Sequence, residues 1–180
     1  MEVKAVNQQL EYVKSRVRSV KDFPKEGIIF RDITTVLKDP KALKITVDYL
    51  CDQFKDTKVD FVAGIESRGF IVGMPMAYKM NAGFIPIRKP NKLPAPTYSQ
   101  SYDLEYGTDT IEIHKDALFE GANVLIADDL LATGGTAEAA CKLVKKAGGN
   151  VVGIAFLIEL LALGGRKKLD CGKIVSMLKY

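Results

Sequence analysis

The stretch Val124–Thr136, reading Val-Leu-Ile-Ala-Asp-Asp-Leu-Leu-Ala-Thr-Gly-Gly-Thr, narrows the possible folds more than any other part of the chain. Four apolar residues, Val124–Ala127, have the makings of a buried strand. They end in two adjacent carboxylates, Asp128 and Asp129, and then in a small glycine-bearing loop that opens into a helical pattern. A strand that stops at a loop leading into a helix N-terminus is where open α/β folds take phosphorylated ligands. The segment Ala132, Thr133, Gly134, Gly135 and Thr136 suits a phosphate: glycines admit close backbone approach, threonine hydroxyls donate, and the helix dipole favours the charge. Facing the phosphate, Asp128 and Asp129 would repel it, so they suit sugar hydroxyls or a metal-bound part of the same ligand. A ligand with a phosphate at one end and a diol at the other is a ribose phosphate. Thr133 alone could cap the helix, but the two aspartates precede a seven-residue loop, too far back for both to cap it. No lysine follows the glycines, which excludes a Walker A loop, and G-x-G-x-x-G is absent.

Other apolar runs fit the same architecture. Strands are expected at Phe61–Ile65, Phe84–Ile87, Val151–Ile158 and Ile174–Leu178, with helices at Phe70–Met80 and Ala137–Ala147. Such alternation implies a mainly parallel sheet flanked by helices, with its ligand crevice at the strand C-termini. Leu10, Val13, Val17 and Val20 recur at helical spacing, predicting an N-terminal amphipathic helix that ends before Phe23-Pro24. Asp39-Pro40 reads as the N-cap and first residue of a helix to about Phe54. From Lys89 to Thr108 the alternation breaks, with three of the chain's seven prolines and no clear period. A stretch of that length in a compact domain reads as a functional lid, and its Tyr98, Tyr102 and Tyr106 favour a flap that closes on something.

At 180 residues and 47% apolar content, one domain with one core is expected. The net charge of +4 arises from 26 basic and 22 acidic residues without a basic run, which argues against nucleic-acid binding. Lys145-Lys146 and Arg166-Lys167-Lys168 read as solvated helix faces. No run reaches the length of a membrane span. Cys51, Cys141 and Cys171 lack metal-ligand spacing and read as reduced, buried thiols of a cytoplasmic protein. The single His114 cannot form a histidine metal site.

The string at Val124–Thr136 resembles the phosphoribosyl-diphosphate motif of the type I phosphoribosyltransferases. Three further segments are similar to the adenine-using members of that family: Phe23-Pro24-Lys25-Glu26-Gly27-Ile28-Ile29-Phe30-Arg31-Asp32, Gly64-Ile65-Glu66-Ser67-Arg68-Gly69-Phe70, and Leu104-Glu105-Tyr106-Gly107. The resemblance runs from about Val17 to the C-terminus. It implies a single α/β domain over 1–180, with an N-terminal helix and base-binding hood over 1–35 and a mobile catalytic flap over 89–108.

The activity so implied is purine salvage: adenine and 5-phosphoribosyl 1-diphosphate give AMP and diphosphate. Mg²⁺ would accompany the diphosphate, held mainly by substrate oxygens and water rather than by protein ligands. The resemblance assigns the 5′-phosphate to Ala132–Thr136 and the ribose hydroxyls to Asp128 and Asp129. The diphosphate falls to Ser67 and Arg68, in a turn that often carries a non-proline cis bond, here at Glu66-Ser67, with Arg88, Lys89 and Lys92 close by. Pro90-Asn91 stands where the family commonly has a glycine. Ile29 and Arg31 match positions that recognise adenine, and Leu130 is placed to pack on the ring. Glu105 is the expected acid–base residue, with Tyr106 orienting the flap. A homodimer is implied by the family. The rival readings are a phosphoribosyltransferase for hypoxanthine, guanine, xanthine or orotate, and a non-catalytic effector-sensing regulator on the same fold.

Overall fold

The computed structural model describes residues 2–103 and 107–180. The chain divides into two compact units, Met1–Tyr49 and Leu50–Tyr180.

In the first unit, helix α1 (Glu2–Arg16) is followed by strand β1 (Arg18–Lys21), which pairs antiparallel with β2 (Ile29–Asp32). The helix is therefore shorter than the apolar spacing predicts. Leu10 and Val13 lie on it, while Val17 and Val20 fall beyond its end, Val20 in β1 opposite Phe30. Both are β-branched and lose little in a strand, so pairing with β2 overrides the helical spacing. Tyr12 and Arg16 at the end of α1 bind Asp39 Oδ2 at 2.9 and 3.0 Å. The same aspartate caps helix α3 (Pro40–Asp52), its Oδ1 accepting the N–H groups of Lys41 and Ala42 at 3.0 and 3.1 Å. Asp39-Pro40 thus starts a helix as its sequence predicts. The short helix α2 (Thr34–Leu37) lies between β2 and α3.

The second unit is built on a five-stranded parallel sheet of β3 (Phe61–Ile65), β4 (Gly83–Ile87), β7 (Asn123–Leu131), β8 (Asn150–Glu159) and β9 (Lys173–Lys179). Its strand order is β4-β3-β7-β8-β9. From β3 the chain steps outward through helix α4 (Arg68–Met80) to β4, and from β7 it steps the opposite way through helix α5 (Gly135–Lys146) to β8. Right-handed crossovers in opposite directions put α4 and α5 on opposite faces and leave a switch point between β3 and β7. The central strands read as nearly continuous apolar runs because both faces are covered: Val124, Leu125, Ile126 and Ala127 of β7 and Ile154–Ile158 of β8 are wholly buried.

The strand containing the two aspartates is longer than expected. β7 continues through Asp128 and Asp129 to Leu131, paired with β8 as far as Glu159, and α5 begins at Gly135. The predicted seven-residue loop is three residues, Ala132–Gly134. Nor is the stretch after Lys89 structureless, since β5 (Thr97–Asp103) and β6 (Thr108–His114) form an antiparallel hairpin that packs against α5.

Cys141 on α5 and Cys171 just before β9 form a disulfide, with Cα atoms 6.7 Å apart, whereas Cys51 is a buried cysteine outside it. The two partners are 30 residues apart in a pattern that carries no signal in the sequence; only the return of the chain along β8 brings them together. Arg166 is likewise no solvated side chain. It lies in a 3₁₀ turn (Gly165–Lys168) and grips buried Glu159 with Nε and Nη2 at 2.9 and 2.6 Å. Arg166 also donates to the Ile174 carbonyl and the Ser176 hydroxyl, each at 3.0 Å, which fastens this turn to β9.

Candidate active site

A cavity of about 520 Å³ opens at the carboxyl ends of β3 and β7, at the switch point of the sheet. From β3 and the start of α4 come Ile65, Glu66, Ser67 and Arg68; from β7 and its loop come Asp128, Asp129, Leu130, Ala132 and Thr136. Lys89, which follows β4, and Tyr102 and Ile111 of the hairpin complete the wall. A smaller cavity of about 70 Å³ adjoins it, formed by Asp128 and Leu130–Ala137.

Asp128 and Asp129 sit here because β7 runs on past the apolar part of the sheet. The Asp129 N–H donates to Asp128 Oδ1 at 2.9 Å. Gly69 lets α4 approach from the other side, since a Cβ there would stand 2.7 Å from the Ala127 carbonyl and 2.9 Å from Asp128 Oδ1. Burial pushes the Asp128 carboxyl well above the ordinary carboxylate range, and repulsion from Asp129 adds to it. Asp129 is raised too, again by burial, although Arg68 opposes the shift. Arg68 Nε lies 2.8 Å from Asp129 Oδ2. The contact is one of charge rather than direction: among the described residues, Oδ2 is a buried acceptor to which no N–H or O–H is aimed. A buried carboxylate oxygen with an open lone pair suits a ligand hydroxyl.

The phosphate-type loop is shaped by backbone contact. Gly134 has φ +84°, and a Cβ on it would lie 2.4 Å from the Gly165 carbonyl oxygen. The glycine that the sequence suggests for approach to a ligand is therefore also required by the chain itself. Gly134 precedes the first turn of α5, whose leading N–H groups have no partner within the helix. Thr136 borders both cavities, and Thr133 and Gly135 border the smaller one.

The residues expected to take the diphosphate divide. Ser67, Arg68 and Lys89 line the large cavity, while Arg88 and Lys92 are not part of its wall. Both of these meet Glu66, Arg88 through Nε and Nη2 at 3.2 and 3.1 Å and Lys92 at 3.9 Å. The Lys89 backbone N–H adds 3.0 Å to the same carboxylate. The Arg88 hydrogen bonds hold the Glu66 carboxyl below its ordinary range. The Glu66–Ser67 peptide is cis, as the resemblance implies. Ile29, half exposed, and Arg31, which donates to Ser19 Oγ across the β1–β2 pair, belong to the first unit. Glu105 and Tyr106 lie outside the described residues.

Sequence reasoning assigned no role to Glu66, although it stands in a quoted motif among cations that need a counter-charge. Nor did it single out Asp109, which binds the Lys89 ammonium. No local signal marks Asp109, because its place depends on the hairpin register.

Residues 33–177 match the family model described as phosphoribosyl transferase domain. Among curated relatives, the adenine phosphoribosyltransferase of Trichodesmium erythraeum is 56% identical over 168 residues, covering 93% of this chain and 99% of its own. That of Escherichia coli O157:H7 is 51% identical over 172 residues, covering 96% and 94%. A solved adenine phosphoribosyltransferase from Thermoanaerobacter pseudethanolicus superposes with a TM-score of 0.92 at 54% identity, over 95% of this chain and 99% of that one. The Saccharomyces cerevisiae enzyme, solved with an imino-altritol bisphosphate and adenine, gives 0.90 at 36% identity, over 96% and 99%.

The buried pair predicts a pH effect. The folded pKa of Asp128 stands above its unfolded one, so its contribution to stability is full below the ordinary carboxylate range and is lost as pH rises through the raised pKa. Asp128→Asn keeps an acceptor for the Asp129 N–H and cannot ionise. The ligand-free variant should unfold at a higher temperature than wild type at neutral pH, with a flatter profile between about pH 4 and pH 8. Thermal scans across that range check this, and an Asn variant less stable at neutral pH would contradict it.

Proposed function

The chain belongs to the adenine phosphoribosyltransferase family, and we propose that it converts adenine and 5-phosphoribosyl 1-diphosphate to AMP and diphosphate, a step of purine salvage. The observation that carries this reading is the Asp128–Asp129 pair at the sheet's switch point, Asp129 buried and Asp128 half-buried, with a glycine loop at a helix N-terminus on one side and Arg68 on the other.

In this reading the loop Ala132–Thr136 holds the 5′-phosphate through backbone N–H groups and the hydroxyls of Thr133 and Thr136. Asp128 and Asp129 take the ribose hydroxyls, Asp129 through its open Oδ2. The pair also sets a negative field beside the ribose ring, whose C1 becomes oxocarbenium-like as the diphosphate departs. Ser67 and Arg68, at the N-terminus of α4, and Lys89 receive the departing diphosphate. Arg88 and Lys92 join them by exchanging Glu66 for phosphate oxygens. Ile29 reads the purine edge through its main chain, Arg31 supports it, and Leu130 packs on the ring. Glu105 exchanges a proton with the base from the flap, and Tyr106 orients it.

Mg²⁺ fits this donor set: the described cavity wall offers carboxylate, hydroxyl and backbone oxygens but no histidine or cysteine. When bound, it would neutralise the diphosphate oxygens, held mainly by substrate oxygens and water rather than by protein ligands. The phosphorylated substrates are too highly charged to cross a membrane, and on that ground we propose a cytoplasmic location. Among the described residues, no helix is long and apolar enough to cross a membrane. We also propose a homodimer. Ile71, Met74 and Tyr78 form one exposed stripe on α4, at 47, 52 and 88% exposure, and a second copy would cover it.

The decisive experiment is diphosphate release from phosphoribosyl diphosphate with each purine and orotate in turn. Adenine should react, and hypoxanthine should be rejected by roughly 10⁴ to 10⁵, the scale seen when a wrong analogue strands buried polar groups. Comparable turnover with hypoxanthine would remove the adenine assignment and leave phosphoribosyl transfer standing. In single-turnover AMP formation, Glu105→Gln should slow chemistry by roughly 10² to 10⁴ with substrate binding intact. Asp103→Asn, at the exposed end of β5, should be far milder; equal small effects would withdraw the acid–base role. Met74→Asp should convert a dimer to a monomer in sedimentation velocity, and an unchanged sedimentation coefficient would place the interface elsewhere.

A further inference from the structure

The cations at the cavity are held by carboxylates: Arg68 by Asp129, Arg88 by Glu66 and Lys89 by Asp109. Asp129 and Glu66 lie in the cavity wall and belong to the two motifs that meet there. Asp109 does neither. It sits on β6, directly opposite Tyr102 of β5 in the hairpin register, and is not part of the wall. Its Oδ2 accepts the Tyr102 hydroxyl at 3.2 Å and also receives the Lys89 ammonium. Its Oδ1 accepts the Thr110 N–H at 2.8 Å. Lys89 Nζ in turn stands 6.0 Å from the centre of the Tyr102 ring. Two residues of the wall, one of them a cation, are thus tied together by a carboxylate that touches neither the cavity nor anything in it.

We infer that Asp109 is a positioning residue that sets the affinity for diphosphate by competing for Lys89. The inference rests on the reading of this cavity as the phosphoribosyl-diphosphate site. A diphosphate entering the cavity needs the Lys89 ammonium, and must take it from a carboxylate that already holds it. Coulomb attraction between Lys89 and Asp109 is therefore subtracted from binding. The exchange also leaves Asp109 with only its partners on the hairpin, the Tyr102 hydroxyl and the Thr110 N–H, so arrival of the ligand loosens the bond between the segment after β4 and the hairpin. Asp109 acts on the ligand only through Lys89 and Tyr102.

The test is titration calorimetry of the full-length protein with inorganic diphosphate in the presence of Mg²⁺. Asp109→Asn keeps the shape and an acceptor for Tyr102 while removing the charge. It should bind diphosphate about fivefold more tightly, the scale of a part-exposed ion pair, and the KM for phosphoribosyl diphosphate should fall in step. The gain should vanish in a Lys89→Met background, and AMP, which has no diphosphate, should bind the single variant as it binds wild type. A purely structural role would give weaker binding and a lower unfolding temperature, so tighter binding with unchanged stability is the distinguishing result. Unchanged or weaker diphosphate binding, or an equal gain in the Lys89→Met background, overturns the inference. Wild-type protein that binds neither diphosphate nor phosphoribosyl diphosphate would instead overturn the reading of the cavity itself.

Discussion

Everything at the mouth of the sheet is arranged around one unfavourable fact: two adjacent carboxylates, Asp129 buried and Asp128 half-buried, are held together at the end of the central strand. Asp128 and Asp129 would be solvated if β7 ended where its apolar run ends. The strand instead continues, paired with β8, and carries them under α4 and the hairpin. Burial raises both carboxyls, repulsion from Asp129 adds to the shift of Asp128, and Arg68 supplies the main relief for Asp129. Such a pair lowers the stability of the empty protein, as buried polar groups at functional sites commonly do. Its chemical use is to present acceptors that are already desolvated and fixed in place.

That geometry requires backbone where side chains would ordinarily be. Gly69 lets the first turn of α4 rest on Ala127 and Asp128, and Gly134 meets the carbonyl of Gly165. The second contact reaches far along the chain. Gly165 opens the turn that Arg166 fastens to Glu159 and to β9, so the phosphate-type loop is buttressed from behind by an ion pair at the end of β8. The Cys141–Cys171 bond closes the same region by tying α5 to the segment that follows this turn. The loop is therefore held on both sides, by its own helix and by a distant segment, which favours a preformed site over one assembled by the ligand.

These relationships explain which features were legible in the sequence. Buried parallel strands such as Phe61–Ile65 announce themselves as apolar runs, and the Asp-Asp-x-x-x-Thr-Gly-Gly-Thr string carries its pattern within a dozen residues, so both the α/β class and a glycine loop between a strand and a helix could be read. Asp39 was readable as a cap because capping is local. What failed was everything set by pairing at a distance. Val17 and Val20 keep helical spacing yet leave the helix, because β2 offers Val20 a partner. Asp128 and Asp129 lie in a strand rather than a loop because β8 extends beside them. Arg166 looks like a surface residue and Cys171 like a reduced thiol until the return of the chain brings Glu159 and Cys141 to meet them. Asp109 could not be found at all without the register that sets it against Tyr102.

The charge arrangement of the site follows from the same requirement. A cavity that must receive a highly charged diphosphate needs several cations, and cations that stay together in the folded protein need counter-charges until the ligand comes. Glu66 holds Arg88 and Lys92, Asp129 holds Arg68, and Asp109 holds Lys89. Ligand entry is then an exchange of partners rather than the filling of a positive hole. Exchange moderates affinity, because each new ion pair replaces an old one, and it confers direction. On the proposed reading, Arg68 would turn from Asp129 toward the diphosphate and leave the Asp129 carboxylate facing the ribose. The cation that would stabilise the leaving group is then the one whose departure uncovers the anion facing the developing positive charge, so a single side-chain movement would serve both ends of the bond being broken.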